Sequence, residues 1–248
     1  MERIELNNIY NMDCIDGMKL LEDNSVDLII TDPPYGVGFS KGFNDSKEHI
    51  YNNAEKWLRE MYRVLKESSH CYIFIPIKEA GLWITLISEI FTLYNILSTR
   101  TYTQNMYLKN NFSFNNQLVV YCSKGTAKRL NKVNFVKTSE SWFKDKRNKN
   151  PHEYTYQYPA FLDMFSNEKT TSKSNNKSGR HPCSKNVDFI EKLVLLSSNE
   201  NDIVLEPFVG GGSTCIAALN TNRRFIGFEL SEEYYNLAIN RIKQHTED

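Results

Sequence analysis

No apolar run in this chain approaches the roughly 20 residues that a membrane-spanning helix requires, which argues against a helical membrane protein. The opening stretch, MERIELNNIYNMD, is too acidic and too polar for a secretory signal, so a cytoplasmic location is expected. Cysteine is sparse. Cys14, Cys71, Cys122, Cys183 and Cys215 lie too far apart for a C-x-x-C zinc pair or a disulfide framework. They read as free thiols in a reducing compartment, and no metal site is expected. Net charge is missing too: 30 Lys and Arg meet 30 Asp and Glu, so overall basicity does not announce a polyanionic partner.

What is present is a globular composition, 40% hydrophobic and 24% charged, in a chain of 248 residues. That length suits one large domain or a catalytic domain carrying an insertion. The charge is segregated. Residues Lys124 to Arg180 hold 13 of the 30 basic residues and only 5 of the 30 acidic ones. A basic segment on an acidic body can place phosphate contacts locally without making the whole surface sticky.

Three regions follow. Residues 1–123 alternate apolar runs with helical spacing, the pattern of an α/β domain with a mostly parallel sheet and helices on both faces. Val26 to Thr31 reads as a buried strand that must stop at Asp32-Pro33-Pro34-Tyr35, because two prolines cannot extend a sheet ladder. A helix is expected over Glu48–Lys66, a strand over Cys71–Ile75, a helix over Glu79–Phe91, and strands around Tyr94–Tyr102 and Gln117–Cys122. Residues 124–180 lose this rhythm and mix Lys and Arg with Trp142, Phe143, Tyr154, Tyr156 and Tyr158. Residues 181–248 resume it: helix over Lys185–Ser198, strand over Asp202–Glu206, a glycine turn, helix over Cys215–Leu219, strand over Phe225–Glu229, helix over Glu232–Gln244.

Two clusters carry chemistry. Strand, glycine turn, helix, strand and terminal acid together form a nucleoside-holding unit. Gly210, Gly211 and Gly212 permit positive φ and close backbone approach, and Glu229 can accept from ribose hydroxyls. By itself a glycine turn serves packing equally well. A phosphate loop is disfavoured because Gly210-Gly211-Gly212-Ser213-Thr214 has no lysine before its hydroxyl residues. A nucleoside bearing a sulfonium fits better than ATP. In the second cluster, prolines at a strand end fix the direction of one carboxylate, Asp32, and one carbonyl, two acceptors for the hydrogens of an aromatic amino group. Tyr35 can then stack on a base swung out of its duplex. Alone, such a Pro-Pro corner is a plain turn.

The combination resembles a known family, the amino-group DNA methyltransferases of the β arrangement. In that family an (Asp/Ser)-Pro-Pro-Tyr motif comes first, a target-recognition region follows, and a Phe-x-Gly-x-Gly cofactor loop comes last. Asp32-Pro33-Pro34-Tyr35, the basic segment and Phe208-Val209-Gly210-Gly211-Gly212 keep that order. Arg63-Val64-Leu65-Lys66, His181-Pro182-x-x-Lys185 and Arg224-Phe225-Ile226-Gly227-Phe228-Glu229-Leu230 look like further family blocks. The resemblance implies a Rossmann-like S-adenosylmethionine-dependent methyltransferase fold. Residues 1–123 would be its catalytic part, 124–180 a target-recognition insert and 181–248 its cofactor-binding part.

It also implies roles. Asp32, Pro33, Pro34 and Tyr35 would hold the target base and its amino group. Asp13, Lys185, Glu206, Phe208, Gly210, Gly212, Ser213, Thr214 and Glu229 would form the cofactor site, with Glu229 on the ribose and Asp13 facing the adenine. Lys144, Lys146, Arg147 and Lys149 would meet phosphates, against the alternative of a solvated surface over a small core containing Trp142 and Phe143. The sequence departs from the family pattern at Met12, Gly211 to Ser213, and Asn186. The implied reaction is N6-adenine methylation of double-stranded DNA. N4-cytosine methylation is the alternative, less favoured because Asp rather than Ser opens the motif, and a non-catalytic DNA-binding or cofactor-sensing protein is the second. Cys183 follows Pro182 but no other element of a C5-cytosine enzyme accompanies it, so it reads as structural. A homodimer and a cognate restriction endonuclease are partners that these residues leave open.

Overall fold

A computed structural model describes residues 4–36, 46–100, 116–131, 133, 161–162 and 185–247. In chain order the strands are β1 (Asn8–Tyr10), β2 (Val26–Thr31), β3 (Leu65–Ile75), β4 (Thr92–Arg100), β5 (Asn116–Ser123), β6 (Phe161–Leu162), β7 (Ile203–Glu206) and β8 (Arg224–Phe228). The helices are α1 (Cys14–Lys19), α2 (Lys47–Val64), α3 (Ala80–Ile90), α4 (Val187–Ser197), α5 (Ser213–Asn220) and α6 (Glu232–Glu247), with a 3-10 turn at Ile77–Glu79. The strands join in one sheet in the order β1-β8-β7-β2-β3-β5-β4-β6. The first five run parallel, β5 is antiparallel to both β3 and β4, and β6 pairs with β4 in parallel. The mostly parallel α/β sheet expected from the sequence is therefore present.

The side-chain alternation of a strand explains why helices cover both faces. Ile29, Ile73 and Ile75 point into one apolar layer with Trp57, Leu58 and Met61 of α2 and Trp83 and Ile87 of α3. Leu28, Ile30, Tyr72 and Phe74 point into the other, with Phe189, Ile190 and Leu193 of α4, Ala217 of α5 and Ala238 of α6. Trp57 and Trp83 are thus core residues, and Cys14, Cys71, Cys122 and Cys215 are buried free thiols. Cys183 lies outside the described residues. No described helix is long and apolar enough to cross a membrane.

Strand β3 begins at Leu65 rather than at the expected Cys71, directly after a helix that ends at Val64. The polar run Lys66 to Ser69 hides the early part. Val26 pairs with Leu65 but Leu28 with His70, so the intervening residues bulge, with Ser68 at φ 63. β1 and α1 are short elements that the apolar pattern did not announce.

Two charged side chains, one in a block that resembled the family and one in β2, turn out to be stitches. Arg63 donates to the carbonyls of Met18 (2.7 Å) and Leu21 (3.0 Å) and pairs with Asp23 and Glu60, tying the α1 segment to α2. Asp27, in β2, takes the Lys66 ammonium at 2.6 Å and the Ile203 amide at 3.0 Å, joining β2 to β3 and β7. The basic stretch also begins within this body. Lys124 is buried, with its ammonium on Asn24 (2.8 Å), and Asn131 bonds the carbonyls of Leu195 and Ser198 at the end of α4.

The chain order leaves β7 toward β8 and β1, and leaves β2 toward β3, so it reverses between β7 and β2. Beyond the carboxyl ends of two such strands, the following loops diverge and open a crevice. The β2 corner at Asp32 and the β7 corner at Pro207 both fall there.

Candidate active site

Leu28 pairs with Val204 and Ile29 with Leu205, so the two corners leave neighbouring strands in the same direction. Outward from them stand β8, ending before Glu229, and β1, ending before Asn11. Four strand ends in a row span roughly 14 Å at about 4.8 Å per strand. Along that edge lie, in order, Asp13, Glu229, the glycine loop and Asp32.

The glycine loop is held from beneath. Glu206 ends β7, is buried, and accepts the Phe208 amide at 3.1 Å and the Thr214 hydroxyl at 2.8 Å. Burial pushes its carboxyl up to about 8, with the Thr214 hydroxyl among the bonds that pull it back. Gly210 and Gly212 take φ of 51° and 76°, so two of the three glycines use the left-handed backbone foreseen for them. Where the loop crosses β8, a Cβ on Gly227 would lie 2.5 Å from Val209 Cγ2; glycine there lets the loop settle on the strand.

Glu229 draws the loop from the other side. One oxygen accepts the Gly210 amide and the other the Ser231 amide, both at 2.8 Å. Burial raises this carboxyl, and the two amides pull it back. Each oxygen keeps a further acceptor position. Asn11 closes the row by donating to the carbonyls of Glu229 (2.8 Å) and Leu230 (3.2 Å). Asp13 is the N-cap of α1, its Oδ1 accepting the amides of Ile15 (2.8 Å) and Asp16 (3.4 Å). The Phe208 ring stands edge-on to Trp57 at 5.0 Å.

The β2 corner is made of side chains. Pro33 is buried and Pro34 half-buried, which fixes the exit of Asp32. The Tyr35 hydroxyl donates to Asp32 Oδ1 and accepts from Gln117 Nε2 at 2.5 Å. Lys185 Nζ meets Asp32 Oδ2 at 2.5 Å and lies 5.0 Å from the centre of the Phe74 ring and 5.9 Å from that of Tyr35. The Lys185 carbonyl accepts from Ser213 Oγ at 2.8 Å. Arg241 donates to Ser213 Oγ (3.1 Å) and to the Gly211 carbonyl (2.5 Å).

Of the residues singled out in the sequence, the structure therefore gathers Asp13, Asp32 to Tyr35, Lys185, Glu206, Phe208, Gly210, Gly212, Ser213, Thr214 and Glu229 along one edge. The side chains of Glu206, Ser213 and Thr214 are bonded within the scaffold that shapes the loop. Lys144, Lys146, Arg147 and Lys149, with His181 and Pro182, lie outside the described residues. Sequence reasoning missed Asn11, Gln117 and Arg241. Each acts through a partner remote in the chain, and nothing local marks it.

A family model described as DNA methylase, of the N6/N4 type, matches residues 26–240. The chain belongs to this family of amino-group DNA methyltransferases, enzymes that use S-adenosylmethionine. Among its relatives is the type II methyltransferase M.HpaI of Haemophilus parainfluenzae, 31% identical over 92% of this chain and 71% of that one. Among solved structures, M1.HpyAVI in complex with S-adenosylmethionine superposes with a TM-score of 0.67 at 23% identity, over 95% of this chain and 98% of that one. The cytosine-N4-specific PvuII DNA methyltransferase does so with a TM-score of 0.72 at 15% identity, over 99% and 92%. These likenesses establish the Rossmann-like methyltransferase fold.

Proposed function

We propose that this chain methylates N6 of adenine at specific sites in double-stranded DNA. The observation that supports it is the carboxylate-bearing Pro-Pro-Tyr corner one strand away from the glycine loop, with Lys185 touching both.

The loop fits S-adenosylmethionine better than a nucleotide. Two buried acids, Glu206 and Glu229, hold the loop, and no lysine opens α5, so the helix start offers a polyphosphate no neutralising cation, which a cationic sulfonium does not need. Phe208, Gly210 and Gly212 would line the cofactor, Glu229 would take its ribose, Asp13 its adenine and Lys185 its anionic end. Glu206, Ser213 and Thr214 would keep the loop in shape. When bound, S-adenosylmethionine would supply a methyl group on positively charged sulfur, which the target nitrogen would take directly, leaving S-adenosylhomocysteine and releasing one amino proton.

The protein's own work is then alignment and charge. Asp32 and the carbonyl at its proline corner accept the two amino hydrogens, and the Asp32 carboxylate stabilises the nitrogen as it becomes positive. Tyr35 stacks on the displaced base. Asp at the head of the motif favours adenine over cytosine. The insert 124–180, with Lys144, Lys146, Arg147 and Lys149 on phosphates, would read the sequence.

Incubation with methyl-labelled cofactor and unmethylated genomic DNA, followed by digestion to nucleosides, tests the reading. Label in N6-methyldeoxyadenosine is expected. Label in N4-methyldeoxycytidine would transfer the assignment to cytosine, and no label at all would leave a binding protein.

A further inference from the structure

Asp32 has a second partner that its proposed task cannot tolerate. A carboxylate that stabilises a nitrogen acquiring positive charge must keep its own negative charge available. Here one oxygen is met by the Lys185 ammonium at 2.5 Å, and side-chain exposures of 19% for Lys185 and 23% for Asp32 leave that pair only partly screened by water. With the cation in contact, the carboxylate is neutralised at the point of use. The pair must open for the transfer.

Lys185 can move only at its outer end. Its backbone is pinned to the glycine loop through Ser213 Oγ, and Arg241 holds both Ser213 and the Gly211 carbonyl. The ammonium is flanked by the Phe74 and Tyr35 rings, whose faces tolerate a cation without fixing it to one acceptor. A lysine ammonium on a flexible four-carbon stem can exchange one anion for another within its reach. The anion that belongs beside the same loop is the amino-acid carboxylate of the cofactor.

We infer that Lys185 is a positioning residue that passes between Asp32 and the cofactor's amino-acid carboxylate, so that seating S-adenosylmethionine frees Asp32 for the target amino group. The inference rests on the methyl-transfer reading above. It makes the target grip depend on the cofactor without a domain movement, through one side chain rooted in the loop that holds the cofactor.

Two nucleosides separate the effect. S-adenosylhomocysteine carries the amino-acid carboxylate; 5′-methylthioadenosine keeps the adenosine and thioether and lacks it. Their affinities for the full-length protein are to be measured by calorimetry. Lys185→Met should weaken S-adenosylhomocysteine about tenfold and methylthioadenosine less than about twofold, with Lys185→Arg retaining the preference. Asp32→Asn releases the ammonium from competition, so it should tighten S-adenosylhomocysteine roughly threefold, leave methylthioadenosine unchanged, and do nothing beside Lys185→Met. Equal weakening of both compounds by Lys185→Met, or tightening by Asp32→Asn that persists in the double variant, would overturn the exchange. Should Lys185→Met fail to fold, the Asp32→Asn variant alone decides, because its effect must appear with the carboxylate-bearing compound only. If the unaltered protein binds neither nucleoside, the cofactor reading itself fails, a result distinct from loss of selectivity.

Discussion

The two corners of the cleft are built differently. Around the β7 corner, the loop is fixed by backbone amides on buried carboxylates: Phe208 on Glu206, Gly210 on Glu229. Around the β2 corner, the contacts run from side chain to side chain, through Tyr35, Gln117 and Lys185, on groups that are half-buried. Backbone bonds to buried acids hold one geometry, because breaking them strands unsatisfied amides at about 1–3 kcal/mol each. Half-exposed side-chain bonds exchange with water or with a substrate at little cost. A cradle that waits for one small molecule suits the first construction. A grip that must take hold of a base, turn its amino group and let it go suits the second.

Removing the acid of the β2 corner should have the largest effect. Asp32→Ala is expected to lower methyl incorporation by about a thousandfold or more, since it deletes the charge proposed to face the reacting nitrogen, while S-adenosylhomocysteine affinity stays within a few-fold. Loss of cofactor affinity instead would mean that the two corners are not separable and would move Asp32 out of the target site. Next comes the basic segment. Replacing Lys144, Lys146 and Arg147 together with alanine should weaken DNA binding about a hundredfold at 0.1 M salt and reduce the logarithmic salt slope by between about 2 and 3. A filter-binding series from low to high salt checks this, and an unchanged slope would remove the insert from the DNA interface.

How far these corners could be read from the sequence follows from how each is built. The fixed corner is local in the chain. Strand run, glycine turn, hydroxyl residues and the acid after the next strand fall within residues 203–229, and apolar spacing together with backbone preference was enough to place them. The strands β2, β7 and β8 were legible for the same reason: each is a short, almost unbroken apolar run buried on both faces. β1 was not, because three residues carry no period, and it exists through its pairing with β8. The β2 corner was half legible. Asp32 to Tyr35 announces itself, but the bond from Gln117 reaches back 82 positions, and the Lys185 contact crosses the whole insert. Pairings of that kind are set by strand order, which no local pattern encodes. Asp13 shows the opposite case: a residue type that favours helix starts, chosen by resemblance for a cofactor role, is found capping α1.

The fixed corner should reveal itself in stability rather than rate. Burial holds the Glu206 carboxyl at about 8 in the folded chain, against an ordinary value of 4.5. Between those two values the folded protein keeps a proton that the unfolded chain has released. Stability from this group is therefore fully present below about pH 4.5, falls as pH rises toward 8, and stays at its lower level above. From pH 5.5 to pH 8 the loss should be about 3 kcal/mol, roughly 150-fold in the folding equilibrium. Glu206→Gln, which can still accept from the Phe208 amide and meet the Thr214 hydroxyl, should flatten most of that slope. Glu229, also raised by burial, leaves a weaker remainder. Denaturant melts at several pH values measure this. Parallel slopes for the two proteins would show that Glu206 is ionised within the fold and that the loop is held by charge.

The smallest expected effect tests whether the β2 corner is tuned or merely present. Gln117 touches Tyr35 alone among the residues proposed to react or to grip, through the 2.5 Å bond to its hydroxyl. That oxygen gives its hydrogen to Asp32, so the amide of Gln117 adds a second restraint on the orientation of the phenol. Gln117→Leu should leave S-adenosylhomocysteine binding unchanged and lower methyl transfer about fivefold, since the ring then samples orientations that do not stack on the base. Gln117→Glu offers no such donor while ionised, so it should resemble the leucine variant at neutral pH. It should regain part of the lost rate toward pH 5, where a protonated carboxyl can donate again. Full activity in the glutamate variant at neutral pH, since glutamate matches glutamine in volume, would show that the position contributes volume alone. A recovery confined to acid would show that the hydrogen bond from β5 sets the angle at which Tyr35 meets its base.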